Sequence, residues 1–156
     1  MKKRINWKIL ILSFIIVYLV AFIGGLFTSS NIDSEWYKSI KPEITPTNWI
    51  FPVVWNLLFF LIALSLYFSW VNIQKKNIKK KIMIIFGINF FLNIFWSVLY
   101  FELRNPLYAL IEIFFLWISI ISMIFLTYKI NKKAGLILIP YLLWVSFAIV
   151  LNYLSI

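Results

Sequence analysis

A chain of 156 residues that is 63% hydrophobic and 21% aromatic, with only 13% charged residues, has too little polar surface for a water-soluble globule. Its mean hydropathy of +0.95 points to an integral membrane protein. Cysteine and histidine are both absent, which excludes disulfides, thiolate metal sites and histidine-ligated haem. Neither a metal site nor a resident cofactor is expected.

The net charge of +10 is distributed by loop. Lys2, Lys3, Arg4 and Lys8 precede the first apolar run; Lys75, Lys76, Lys79, Lys80 and Lys81 follow the second; Lys129, Lys132 and Lys133 follow the fourth. The intervening loops hold Lys38, Lys41 and Arg104 beside Asp33, Glu35, Glu43 and Glu102. This alternation is the positive-inside pattern, and it predicts a multi-pass protein of the cell membrane with a cytoplasmic N-terminus and an extracytoplasmic C-terminus. Topology accounts for the lysines, so no nucleic-acid partner is expected.

A hydrocarbon core of about 30 Å needs roughly 20 apolar residues per helix, and the sequence offers five such runs. The expected fold is an all-α bundle of five transmembrane helices in a single domain, residues 1–156. The first span covers 9–27. Ala21, Gly25 and Ser29 stand in it at a spacing that lets helix backbones approach closely, inside the bundle or in a dimer. Residues 28–51 form the longest connection, and a loop of this length in a small protein is more often functional than accidental. Ser34 before Glu35 and Trp36 is an N-cap signal for a short helix along the membrane surface.

The second span, 52–72, opens on Pro52, whose missing N–H has no intrahelical partner in a first turn. Trp49 and Trp55 then fall near the lipid-water boundary, or over a cavity opening onto it. The third span, 82–103, carries Asn89, Asn93 and Ser97 at successive i, i+4 positions, a polar stripe that must meet other helices or a ligand, with Trp96 on a neighbouring face. The fourth, 107–127, contains Glu112. An acid at that depth is expensive. Protonation, pairing with Arg104 or a third-span amide, or an interior position would each accommodate it, and no second buried acid supports a proton relay. The fifth span, 136–156, has Pro140-Tyr141 near its start and places Trp144, Ala148 and Asn152 on one face.

Trp36-Tyr37, Lys41-Pro42, Pro46, Trp49, Val54-Trp55, Asn93-x-x-Trp96-Ser97, Ala109-x-x-Glu112 and Pro140-Tyr141-x-x-Trp144-x-x-Phe147-Ala148 with Asn152 occur in one order across the five spans. With them the chain resembles the tryptophan-rich sensory protein or translocator protein (TspO/MBR) family over nearly its whole length. It departs at Ile44 and Thr47, where the family commonly has Trp and a second Pro.

The resemblance implies a five-helix bundle, commonly a homodimer, with a pocket beneath the 28–51 loop as a lid. Its ligands would be flat and hydrophobic: porphyrins and related tetrapyrroles, sterols in animal members, or synthetic isoquinolines and benzodiazepines. Carried over by position, Tyr37, Trp55, Phe59, Asn93, Trp96, Trp144 and Ala148 would line the pocket, with Phe147 beside them. Rings of this kind give a planar macrocycle faces to stack on, and a few amides orient it.

The implied function is tetrapyrrole binding in the bilayer, for sequestration, transport or stress sensing. One alternative is a light- and oxygen-dependent porphyrin-degrading enzyme in which Trp55 and Trp144 carry the catalytic role; another is a structural or regulatory partner of other membrane proteins. Trp7, Trp70 and Trp117 are expected to be lipid-facing filler. Sterol-type patterns at Leu126-Tyr128-Lys132 and Val98-Tyr100-Arg104 are weak signals, and no Lys or Arg follows Lys133, so a tetrapyrrole is preferred to a sterol.

Overall fold

Several helices in this chain start at short polar residues that satisfy the first free N–H groups. Asn6 accepts from the Ile9 amide at the start of α1 (Trp7–Ser29), and Ser34 accepts from the Tyr37 amide at the start of α2 (Glu35–Ile40). Asn105 does the same for α5 (Pro106–Ile130), where Pro106 occupies the first turn. The remaining helices are α3 (Ile50–Asn72), α4 (Lys76–Ser97), α6 (Lys132–Leu136) and α7 (Ile139–Tyr153). The computed structural model describes residues 5–156; Lys2, Lys3 and Arg4 of the basic N-terminal flank lie outside the described residues.

Five helical segments are long and apolar enough to cross a membrane: α1, α3, α4 with its extension, α5, and α6 with α7. The protein is an all-α membrane protein, and no strand occurs among the described residues. The α6–α7 segment bends at 137–138, just ahead of Pro140, which the first turn of α7 accommodates. The other irregularity is a π-helical turn, Val98–Glu102, that widens the end of α4. There Leu103 N–H donates to Val98 O at 2.8 Å and Asn105 N–H to Leu99 O at 3.0 Å. The widened turn carries three consecutive buried residues, Leu99, Tyr100 and Phe101. Arg104 then reverses the chain in the left-handed backbone region, at φ 49°.

α1 packs on α3 and α4, α5 on α4, α6 and α7, and α6 closes the ring against α3. Lipid gives helices no hydrophobic reason to associate, so packing and interhelical hydrogen bonds set the arrangement. Leu58, Ile62, Ile82, Phe86, Ile113, Ile120, Met123, Leu138, Tyr141 and Val145 form the interior. Leu12, Phe22, Phe91, Phe114, Phe125 and Leu143 project outward as a hydrocarbon surface. Ser65 Oγ donates to Ala134 O, Asn89 Nδ2 to Ser119 Oγ, each at 2.8 Å, and Trp117 Nε1 to Ser146 Oγ at 2.9 Å. These bonds tie α3 to α6, α4 to α5, and α5 to α7.

Candidate functional site

Away from α6, α3 reaches α7 through rings: Trp55 meets Tyr141 edge-on at 6.2 Å, and Phe51 meets Trp144 at 5.8 Å. The space between them is a cavity of about 580 Å³. Such a volume lies in the range of roughly 300–1,000 Å³ typical of small-molecule sites. Trp55 and Phe59 of α3, Asn93 and Trp96 of α4, Trp144 and Ala148 of α7, and Tyr37 of α2 all line it.

Phe147, the remaining residue of the expected set, does not line the cavity. The cavity face of α7 runs through 144, 145, 148, 151 and 152, continued by Ser155 just past its end, and position 147 falls beside that stripe, its ring 5.7 Å from Trp144.

The cover is made by α2 and the segments on either side of it, which contribute Asp33, Tyr37, Pro42, Thr45, Asn48 and Trp49 to the lining. A ring cluster anchors it. Tyr37 is buried against Phe101 at 5.6 Å and Tyr100 at 6.5 Å, and Trp36 meets Tyr100 edge-on at 5.9 Å beneath Arg104. Lys41 Nζ donates to Asn48 Oδ1 at 2.8 Å, closing the loop on itself. Burial, reinforced by the neighbouring Tyr100, pushes the Tyr37 phenol up to about 12, so it remains a neutral hydrogen-bonding group at any physiological pH.

The polar stripe of α4 is divided between two uses. Asn89 is consumed by the bundle: it donates to Ser119, and its Oδ1 accepts from the Tyr141 hydroxyl at 3.3 Å. Asn93 Nδ2 donates to the same hydroxyl at 3.1 Å while its residue lines the cavity. Trp96 Nε1 donates to Asn152 Oδ1 at 3.0 Å, and Asn152 Nδ2 to Pro106 O at 2.8 Å, so the indole is held in place by a chain of bonds reaching α5. Thr45 Oγ1 is buried with no hydrogen-bond partner among the described residues and belongs to the cavity wall. Asp33 is the one charged side chain in that wall among the described residues.

Sequence reasoning missed the contribution of α1. Ala21, Gly25 and Ser29, the small-residue stripe expected at a helix contact, line the cavity along with Gly24 and Thr28, and Ala21 also packs on the core. A Cβ at Gly25 would meet nothing within 4 Å among the described residues, so its smallness leaves space on the cavity wall. Tyr100 and Phe101 were also missed, because the π turn that aims them inward has no periodic signature.

Glu112 is buried on α5, and both its oxygens lack a hydrogen-bond partner among the described residues. It is bonded neither to Arg104, which stands over Trp36, nor to an amide of α4. Of the tryptophans expected as filler, Trp7 is 63% exposed, whereas Trp117 is half-buried and bonds α5 to α7. Trp70 is also half-buried, with Lys79 Nζ 5.5 Å from its ring.

Fold and cavity together define a polytopic helical membrane protein with an aromatic-walled chamber beneath a folded loop. The TspO/MBR family model matches residues 13–155, and the chain belongs to that family. It is 39% identical over 147 residues to the tryptophan-rich protein TspO of Archaeoglobus fulgidus, covering 92% of each chain. It is 37% identical over 136 residues to the protein of the same name from Chlorobaculum tepidum, covering 86% of this chain and 85% of that one. The translocator protein of Sus scrofa is 26% identical over 142 residues, covering 86% and 83%.

Proposed function

We propose that this chain binds a porphyrin or closely related tetrapyrrole in the chamber, serving its sequestration, transport or sensing under stress. The observation that carries the reading is the placement of four indoles, Trp49 of the cover with Trp55, Trp96 and Trp144 of the bundle, around one apolar space of about 580 Å³. Indole faces stack on a macrocycle, and Asn93, Thr45 and Tyr37 offer it a few hydrogen bonds. Among the described residues the wall has no basic side chain and one acid, Asp33, so the ligand's carboxylates lie outside the chamber, toward Lys38, Lys41 and Arg104. From the lysine distribution we also infer a cytoplasmic N-terminus in the cell membrane. The resemblance supports a homodimer.

The test is a titration of purified protein with protoporphyrin in the dark, followed by tryptophan quenching. The neutral dimethyl ester is expected to bind as tightly as the diacid, and an octacarboxylated porphyrin at least about tenfold more weakly, since uncompensated burial of charge is costly. Absence of saturable binding by protoporphyrin overturns the reading.

A second reading, light-dependent porphyrin breakdown, draws support from Trp55 and Trp144 sharing that wall, where an indole can donate an electron to an excited macrocycle. Among the described residues no acid–base or nucleophilic pair lines the chamber, so the chemistry would belong to the pigment and oxygen. Loss of porphyrin absorption on illumination with protein, abolished by Trp55→Phe while binding persists, distinguishes this reading from binding alone.

A further inference from the structure

A separate concavity lies on the lipid-facing flank, at the end of the bundle opposite the loop cover. It has a volume of about 290 Å³, and Ile121, Ile124, Phe125 and Tyr128 of α5 line it together with Leu142 of α7. Apart from the Tyr128 hydroxyl its walls are carbon. Phe125 is 64% exposed and Tyr128 42%, so the groove opens to the surrounding lipid and not to the interior.

Its outer end is basic. Lys129 holds its ammonium 4.0 Å from the centroid of Phe125, directly over a wall of the groove. Lys132 and Lys133 begin α6, which lies against the last turn of α5 so closely that a Cβ at Gly135 would stand 2.6 Å from Tyr128 Cβ. No acid follows Glu112 in the sequence, and the one ion pair among the described residues, Lys38 with Glu35, belongs to the other end. Lys129 therefore sets an ammonium over an apolar slot, Lys132 and Lys133 follow it at the start of α6, and no carboxylate on these elements neutralises them.

We propose that this groove is a binding site for an anionic phospholipid, with an acyl chain against Ile121, Phe125 and Leu142 and the phosphate held by Lys129 and Lys132. Charge complementarity selects this occupant. A sterol would fill the slot but offers the lysines no anion, and a second copy of this chain in a twofold contact would set the same lysines against each other. Lysine stems can lie along the apolar wall while their ammonium groups reach headgroup level.

The experiment is native mass spectrometry of the full chain released from detergent carrying phosphatidylglycerol or phosphatidylcholine of identical acyl chains. Phosphatidylglycerol is expected to be retained at least about tenfold more than phosphatidylcholine, and Lys129→Gln with Lys132→Gln to remove most of that preference. Ile121→Trp, which fills the slot from its lipid-exposed side, should lower retention as far while helical circular dichroism is unchanged. Lys8→Gln with Lys79→Gln removes the same charge on other elements and should leave the preference intact. Equal retention of both lipids overturns the proposal. So does an equal loss in the two lysine pairs, which would mean diffuse attraction, or retention untouched by Ile121→Trp. Displacement of phosphatidylglycerol by cholesterol, or by dimerisation through this flank, would assign the groove to another occupant.

Discussion

The two ends of the bundle are built on opposite plans. At the covered end, small residues of α1, a widened turn of α4 and side-chain bridges between α3 and α7 leave a chamber. At the lysine-rich end, Gly135 brings α6 onto the backbone of α5, and Ser65 bonds to Ala134 across from α3. Glycine appears at both ends with contrary effects. Gly135 permits contact, whereas Gly25 preserves empty volume. A small residue in a membrane helix therefore reports nothing until its neighbours are known.

Substitutions at these two glycines should separate the plans. Gly25→Phe puts a ring into the chamber with no clash at Cβ, so the protein should fold normally yet bind protoporphyrin about a hundredfold more weakly, an overpacking cost of about 3 kcal/mol. Gly135→Leu should do the reverse. Its Cβ collides with Tyr128 Cα at 2.8 Å, so thermal stability should fall by about 1–3 kcal/mol while any folded fraction binds ligand normally. If both variants lose stability and binding together, the two ends are not independent.

The cover has its own pH signature. Tyr37 is held up to about 12, so its contribution is complete below the unfolded phenol value of about 10 and is lost as pH rises through 12. Proteolysis within 41–49 should accelerate across that window in the parent chain. In Tyr37→Phe the acceleration should be smaller, because no phenol must ionise at that position. The smallest effect is expected at Glu112→Gln. The carboxyl has no cation bonded to it, and a neutral isostere should keep stability and ligand affinity within about twofold. A tenfold loss would show that a charge at 112 is used.

The alternation of lysine clusters and apolar runs made the five spans legible, because the bilayer dictates both length and satisfaction of the backbone. Ser34 marked the short helix of the cover for a local reason, its N-cap bond. The α4 stripe was legible as polar and inward, but its division between bundle and cavity was not, because Asn89 and Asn93 differ only in what faces them from α5 and α7. The π turn left no periodic trace, and so Tyr100 and Phe101 were missing from the expected cavity wall. Phe147 and Trp117 show a further limit. A few tens of degrees around a helix axis move one ring off the cavity wall, and a serine on a neighbouring helix turns another from filler into a tether.

The central claim is that the indoles of the chamber form a binding surface. Protoporphyrin titration of Trp55→Ala, Trp144→Ala and the lipid-exposed control Trp7→Ala tests it most directly. Stacking is worth about 0.5–1.5 kcal/mol beyond the burial term. Each chamber variant should therefore weaken binding by about tenfold or more, since about 1.4 kcal/mol is a factor of ten. The control should leave affinity unchanged. If all three variants bind alike, the indoles are membrane filler and the chamber is not the site.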